Sequence, residues 1–144
     1  MTRVINTAGL NLIKEFEGFE AHAYLDTGGV WTCGYGHTRG VTKDTSCTPE
    51  QAEDWLEADL DSAERDVERL VKVPLTDNQF GALVSFVFNL GATAFGKSTL
   101  LRELNSGNYE AVPTQLKFWV FDNGKRIEGL ARRRKAEAAL WNTK

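Results

Sequence analysis

Two stretches in the first half of the chain repeat apolar residues at the spacing of a helix. The apolar positions between residues 8 and 16 share one helical face, and Gly18 can end that helix in a left-handed conformation. The sequence TPEQ at 48–51 is a capping box, and an apolar stripe of helical period follows it to about residue 71. Asp59 lies inside that stripe, so its carboxylate needs a hydrogen-bonding neighbour. We therefore expect a short first helix and a long second one.

The second half of the chain is helical by the same criterion. Thr76 and Gln79 form another capping box, and the segment 79–90 behind it is apolar nearly all round, so we expect that helix in the core. Further helices are expected at about 97–105, at about 109–120 with a break at Pro113, and at 129–141.

Between residues 21 and 38 the pattern changes to aromatic and β-branched residues interrupted by four glycines. This pattern predicts a small antiparallel hairpin with its turn at Thr-Gly-Gly, 27–29. The fold class is therefore α+β, with a small antiparallel hairpin lobe, a larger helical lobe and a ligand groove expected between them. We expect a single domain over 1–144, in which 18–47 form the β lobe and 1–17 and 48–144 form the helical part.

The chain has 144 residues and a net charge of −3, but its two halves carry opposite charge. Residues 1–70 hold 14 acidic and 6 basic side chains, a net charge of −8, whereas residues 71–144 hold 6 and 11, a net charge of +5. The densest run of cations, 132–135, either forms a surface for an anionic partner or is an ordinary solvated helix face. Charge leaves a nucleic acid, an anionic lipid and an acidic polymer such as a cell wall open as partners, although a pI near 5.4 argues against a nucleic-acid binder.

The strongest candidates for chemistry are Glu17, Asp26 and Thr32, which are separated by nine and six residues. Glu17 ends the first helix, where the negative end of the helix dipole favours the neutral carboxylic acid that a general acid needs. Asp26 lies among glycines at the hairpin turn, and two carboxyl groups in such different environments suit hydrolysis of a glycosidic bond. Thr32 can direct its hydroxyl into the same space and hold a water. The alternative interpretations are an exposed helix-end glutamate and an ordinary turn aspartate.

His37 and the cysteines allow more than one interpretation. A histidine behind a strand is more often structural than catalytic, and we predict that Asp59 is its hydrogen-bonding partner. The two histidines and two cysteines of the chain lack the paired spacing of a zinc site, so no metal is expected. Cys33 and Cys47 are expected as two small buried thiols, with a disulfide as the alternative once the protein leaves a reducing compartment.

The sequence YLDTGGVWTCGYGHT at 24–38, together with Glu17-Gly18, resembles the phage-type lysozymes, or endolysins, a family of glycoside hydrolases. The segment 75–109 resembles the core helices of that family, and 129–141 resembles its terminal Arg-Arg helix with Glu137. The resemblance covers nearly the whole chain. It implies a lysozyme-like fold with the active-site cleft between the two lobes.

The resemblance also implies roles for individual residues. Glu17 matches the catalytic acid of the family, Asp26 its second carboxylate, and Thr32 the threonine that places a water. Cys33 stands where the family usually has an aliphatic residue. The further candidates for substrate binding or support of the cleft are Gly36, His37, Gln79, Asn89, Arg133 and Arg134. The sequence does not indicate which of the two arginines turns inward.

The activity implied is that of a muramidase. Such an enzyme hydrolyses the β-1,4 bond between N-acetylmuramic acid and N-acetylglucosamine in peptidoglycan, and so lyses the bacterial host at the end of a phage cycle. No cofactor is implied. We expect inversion of configuration because Thr32 can hold a water; inversion needs carboxyl groups about 6.5–9.5 Å apart, against about 5–5.5 Å for retention. The alternative is a wall-binding module that no longer cleaves.

No apolar run approaches the roughly 18 residues of a membrane-spanning helix, and the N-terminal sequence lacks the apolar core of a signal peptide. We therefore expect a protein that is made in the host cytoplasm and does not insert into membranes. The resemblance to endolysins implies that it reaches the periplasm after a holin has permeabilised the inner membrane, and we expect it to be a monomer. The expected partner is peptidoglycan and not a nucleic acid.

Overall fold

The computed structural model describes residues 3–144, which form seven α-helices and four short strands. Their order is α1 (Thr7–Glu17), β1 (Glu20–Leu25), β2 (Trp31–Gly34), α2 (Pro49–Leu70), α3 (Asp77–Leu90), α4 (Ala92–Lys97), α5 (Thr99–Asn105), α6 (Ala111–Leu116), β3 (Phe121–Asp122), β4 (Lys125–Arg126) and α7 (Glu128–Asn142). The expected α+β class is confirmed. None of the helices within 3–144 is long and apolar enough to cross a bilayer.

The predicted helix ends are confirmed at three places. The main-chain N–H of Thr48 donates to Oε1 of Gln51 at 2.9 Å, and the N–H of Gln51 donates back to the Thr48 hydroxyl at 3.1 Å. Thr76 and Gln79 cap α3 by the same reciprocal pair of hydrogen bonds. Helix α1 ends at Glu17, and Gly18 follows it with φ of 72°. Local capping chemistry therefore sets these boundaries.

The chain divides into two compact units, one formed by residues 14–62 and one by residues 3–13 with 63–144. The smaller unit contains β1 and β2, which pair antiparallel with Tyr24 opposite Thr32 and Leu25 opposite Trp31. A third extended segment, 45–47, bonds to β1, since the N–H of residue 23 donates to the carbonyl of residue 45 and that of 47 to the carbonyl of 21, both at 2.9 Å. This small sheet is the predicted hairpin with one added edge.

The larger unit is built around α3. Every residue from Phe80 to Val87 on this helix is buried, as its nearly uniform apolarity predicts. Helix α1 approaches α3 closely where two glycines meet, because a Cβ added to Gly9 would lie 2.9 Å from the Cα of Gly81. Helix α7 also packs on α3 and brings charged side chains into this core, as described below.

The shorter helices follow the prediction only in part. The helix expected at about 97–105 is confirmed as α5, which begins after Ser98, a residue that is extended at φ −75° and ψ 150° and whose hydroxyl accepts the N–H of Leu101. The short helix α4 before it was not predicted. The helix expected at 109–120 shortens to α6 and is followed by the β3–β4 hairpin, whose turn residues Asn123 and Gly124 have φ of 51° and 78°. Such an Asn-Gly pair with two positive φ angles is the turn that closes a two-residue hairpin.

Candidate active site

The carboxyl group of Glu17 lies against a tight turn that follows β2. Cys33 and His37 close the turn by exchanging main-chain hydrogen bonds of 2.9 and 3.0 Å. Within the turn Gly36 has φ of 76°, and a Cβ built on it would lie 2.7 Å from Oε1 of Glu17. Glycine is therefore required at position 36 both by the backbone conformation and by the space that the acid occupies.

Helix α2 anchors this turn through His37. Nδ1 of His37 lies 2.8 Å from Oδ2 of Asp59, and the imidazole stacks on Trp55 with the ring centroids 4.5 Å apart and the planes 20° from parallel. The predicted pairing of His37 with Asp59 is confirmed. The hydrogen bond also satisfies the carboxylate that interrupts the apolar stripe of α2. A rigid helix thus fixes the turn that carries Gly36 beneath the acid.

Asp26 and Thr32 are connected through the main chain of Val30. Oδ1 of Asp26 accepts the N–H of Gly28 at 2.9 Å and that of Val30 at 2.8 Å, which holds the carboxylate over the hairpin turn. The carbonyl of Val30 in turn accepts the N–H of Asp26 and the hydroxyl of Thr32, both at 3.0 Å. The orientation of both side chains therefore depends on one peptide segment. Asp26 is exposed, whereas Thr32 is buried.

Tyr24 lies on β1 and responds to the charges of the acids near the hairpin. Burial raises the pKa of its phenol, and the negative charges of Glu17, Glu20 and Asp26 raise it further. Across the hairpin Tyr24 lies directly opposite Thr32. The phenol of Tyr24 is therefore within electrostatic reach of both carboxylates, its residue lies opposite Thr32 in the hairpin, and it stays neutral. Sequence reasoning missed Tyr24, although the hairpin register was the signal that could have identified it.

Gln79 belongs to the larger unit and serves the end of a helix. Its side-chain oxygen accepts the main-chain N–H of Thr76 at 2.9 Å as one half of the α3 capping box. The side chain is half-buried at that place. This contact gives Gln79 a structural role, and its role toward a substrate stays a prediction.

Arg133 and Arg134 both turn inward, with exposed fractions of 4% and 1%. Arg133 donates from Nε and Nη2 to the hydroxyl and carbonyl oxygens of Ser85, at 3.3 and 3.2 Å. Ser85 donates to Oε2 of Glu137 at 2.6 Å, and Nη1 of Arg134 donates to Oε1 of Glu137 at 2.5 Å. Nη2 of Arg134 donates to Oδ1 of Asn89. These five side chains form one polar network between α3 and α7.

Burial raises the pKa of Glu137, and the charges of the two arginines oppose that shift. Burial also lowers the pKa of Arg134. The alternative of a solvated face at 132–135 is therefore wrong for two of the four cations, because Glu137 and Ser85 give Arg133 and Arg134 partners in the core. The exposed cations of this region line a surface cavity of about 550 Å³ and are Lys117, Arg126, Arg132 and Lys135.

Within residues 3–144 no group of three or more His, Cys, Asp or Glu side chains is arranged to hold a metal ion. Cys33 and Cys47 are free thiols, the first buried and the second half-buried.

The order of elements and the acid-bearing hairpin define a lysozyme-like fold. The muramidase domain of SpmX from Asticaccaulis excentricus superposes with a TM-score of 0.93 at 40% identity, covering 99% of this chain and 100% of that domain. A variant of P22 lysozyme superposes with a TM-score of 0.86 at 35% identity, covering 98% of this chain and 99% of that one. The expected lysozyme-like fold is confirmed.

The chain belongs to the phage lysozyme family, whose model matches residues 14–137. The endolysin of Acyrthosiphon pisum secondary endosymbiont phage 1 is 43% identical over 143 residues, a match that covers 96% of this chain and 98% of the relative. The resemblance stated from the residues at 17–38 is thereby confirmed.

Proposed function

We propose that the protein is a muramidase that hydrolyses the β-1,4 bond between N-acetylmuramic acid and N-acetylglucosamine in peptidoglycan and so lyses the bacterial host. Membership of the phage lysozyme family and the likeness to a muramidase domain support this activity. The observation that carries the proposal is that hydrogen bonds to Val30 hold Asp26 and Thr32 together, in the same small unit in which the carboxyl group of Glu17 lies against Gly36. One carboxyl group at a helix end and another at a turn supply the two acid–base partners of glycoside hydrolysis.

Glu17 acts as the general acid and protonates the oxygen that leaves with the departing sugar. The close contact of Oε1 with Gly36 restricts where the carboxyl group can lie, which is what proton transfer at hydrogen-bond distance requires. His37 and Asp59 act on this step through the turn and are positioning residues.

Thr32 and Asp26 act on the water. Because the hydroxyl of Thr32 donates its proton to the carbonyl of Val30, its oxygen presents lone pairs that accept a hydrogen bond from a water. Asp26 takes the proton of that water as it attacks the anomeric carbon from the face opposite the departing sugar. This single displacement inverts the configuration of the anomeric carbon, so the first product formed is the α-anomer.

Apolar surface flanks the aspartate. Tyr24, Leu25 and Val30 are 36%, 54% and 47% exposed. Sugar rings have apolar faces as well as hydroxyl groups, so these side chains offer packing area for the glycan strand beside Asp26.

The protein acts as a monomer on peptidoglycan in the periplasm and depends on a holin to reach it from the cytoplasm.

The test of the acid is Glu17→Gln, with Glu15→Gln on the same helix as the matched control. Clearance of a suspension of outer-membrane-stripped Gram-negative cells should be lost with Glu17→Gln and kept with Glu15→Gln, while both variants keep the circular dichroism of the parent. A Glu17→Gln protein that still clears cells at the parental rate would show that another group supplies the proton. Wall binding without clearance by the parent itself would favour the non-catalytic module.

Thr32→Ala tests the water step separately. The rate should fall because the water loses its acceptor, and the anomeric configuration of the first product, followed by proton NMR, should be α for the parent. A β-anomer as the first product would replace the inverting proposal with a retaining one and would leave the muramidase assignment intact.

A further inference from the structure

Two thiols face each other beside the strand that carries Thr32. The sulfur atoms of Cys33 and Cys47 are 3.5 Å apart, in contact and without a bond. Both also point at the same carbonyl, since the thiol of Cys33 donates to the Glu20 oxygen at 3.6 Å and that of Cys47 to it at 3.8 Å. Their approach therefore follows from the packing of three extended segments and not from a chance contact of mobile side chains.

The backbone around both cysteines is already fixed by hydrogen bonds. The N–H of Cys33 donates to the carbonyl of His37 in the tight turn, and the N–H of Cys47 donates to the carbonyl of Ala21 on β1, both at 2.9 Å. Bond formation would bring the sulfurs from 3.5 Å to the disulfide length of about 2.0 Å. The reduced protein thus already holds the two sulfur atoms in contact.

We propose that Cys33 and Cys47 are a disulfide-forming site that reacts by thiol–disulfide exchange when the folded chain meets a disulfide-bearing oxidant. The thiolate of Cys47 attacks one sulfur of the oxidant, forms a mixed disulfide and releases one thiol. The thiolate of Cys33 then attacks the sulfur of Cys47 and releases the second thiol. The protein loses two hydrogen atoms, and one oxidant disulfide becomes two thiols.

Accessibility sets the order of these steps. Cys47 is half-buried and can be reached by a small disulfide, whereas Cys33 has no exposed surface. Burial and the hydrogen bond with Cys33 raise the pKa of Cys47 to about 11. Little thiolate is present near neutral pH, so the first exchange is slow there and its rate rises about tenfold per pH unit up to that pKa.

The bond would join the end of β2 to the residue before the cap of α2. The loop it closes, 33–47, holds the tight turn that carries Gly36 and the anchoring His37. Because a cross-link of this loop length restricts the unfolded chain, we expect the oxidised protein to melt roughly 6–12 °C above the reduced one. This inference does not depend on the muramidase proposal, since neither mass nor melting temperature requires a substrate.

The test starts from the reduced full-length protein incubated with oxidised glutathione at pH 8.5, then alkylated with N-ethylmaleimide and weighed intact. The parent should lose two hydrogen atoms and take up no alkyl group, whereas Cys47→Ser should keep Cys33 reduced and unable to form the internal bond. The melting temperature of the oxidised parent should fall to that of the reduced parent after dithiothreitol, and that of Cys47→Ser should not respond to either reagent.

Two results would overturn the proposal. One is a folded parent that still carries two alkylatable thiols, after unfolding for the alkylation step, under conditions that fully oxidise free dithiothreitol. The other is oxidation that yields only disulfide-linked dimers or a stable glutathione adduct on Cys47. Cys33→Ser serves as a second variant, because it should trap that adduct while the parent resolves it.

Discussion

Gly36→Ala separates the stability of the fold from the position of the acid. The new Cβ would lie 2.7 Å from Oε1 of Glu17, and relieving that contact moves the carboxyl group by roughly 0.6 Å. The clash itself costs little, because a glutamate side chain can move at its far end. Alanine at a φ of 76° costs about 1–2 kcal/mol of folding free energy.

The loss of activity should be larger than that strain suggests. A misplacement of about 1 Å can lower a rate by roughly 100-fold, so a shift of this size should lower kcat by about tenfold or more with KM nearly unchanged. Rates are measured on purified peptidoglycan, and stability by urea unfolding, at a temperature where both proteins are fully folded.

Gly40→Ala is the matched control. Gly40 has φ of 73°, close to that of Gly36, but no atom lies within 4 Å of the Cβ that alanine would add. The Gly40→Ala variant should lose as much stability as Gly36→Ala, and it should keep the parental activity. If Gly36→Ala keeps more than half of the parental kcat, or if Gly40→Ala loses as much activity as Gly36→Ala, the link from the turn to the acid is refuted.

Three further outcomes are expected. Glu137→Gln should lower the free energy of unfolding by about 3–5 kcal/mol, measured with urea, because buried guanidinium groups lose their counter-charge; a loss below 1 kcal/mol would contradict the buried network. Asp59→Asn should lower it by roughly 1–3 kcal/mol through its bond to His37 and reduce kcat as well, and unchanged kcat would argue against the anchoring of the turn. Arg132→Glu with Lys135→Glu should weaken sedimentation with peptidoglycan at low salt only, and a defect independent of ionic strength would exclude an electrostatic contact.

Local chemistry made the long elements predictable. The helices α1, α2 and α3 begin or end at caps whose residues lie within four positions of each other, so the sequence carries the whole signal. The turn Asn123-Gly124 carried a signal of the same kind, but its strands are only two residues long and show no alternation, so the hairpin between the helices expected at 109–120 and 129–141 was not predicted.

The buried polar network could not be predicted from the sequence, because its side chains contact partners that are distant along the chain. Arg134 is separated from Asn89 by 45 residues, and Ser85 from Glu137 by 52, so no spacing rule indicates that these charges are buried together. Asp59 is the instructive exception. A carboxylate inside an apolar stripe had to find a donor, and His37 was the nearest candidate in the hairpin lobe.

The three hydrogen bonds that join Asp26 to Thr32 through residue 30 use only its amide and carbonyl. Every amino acid except proline offers those two groups, so Val30 can be replaced without loss of these hydrogen bonds. Its side chain meanwhile points outward beside the aspartate and is free to vary. Position 30 is thus a place where the surface beside Asp26 can be altered, by evolution or by design, while Asp26 and Thr32 keep their orientation.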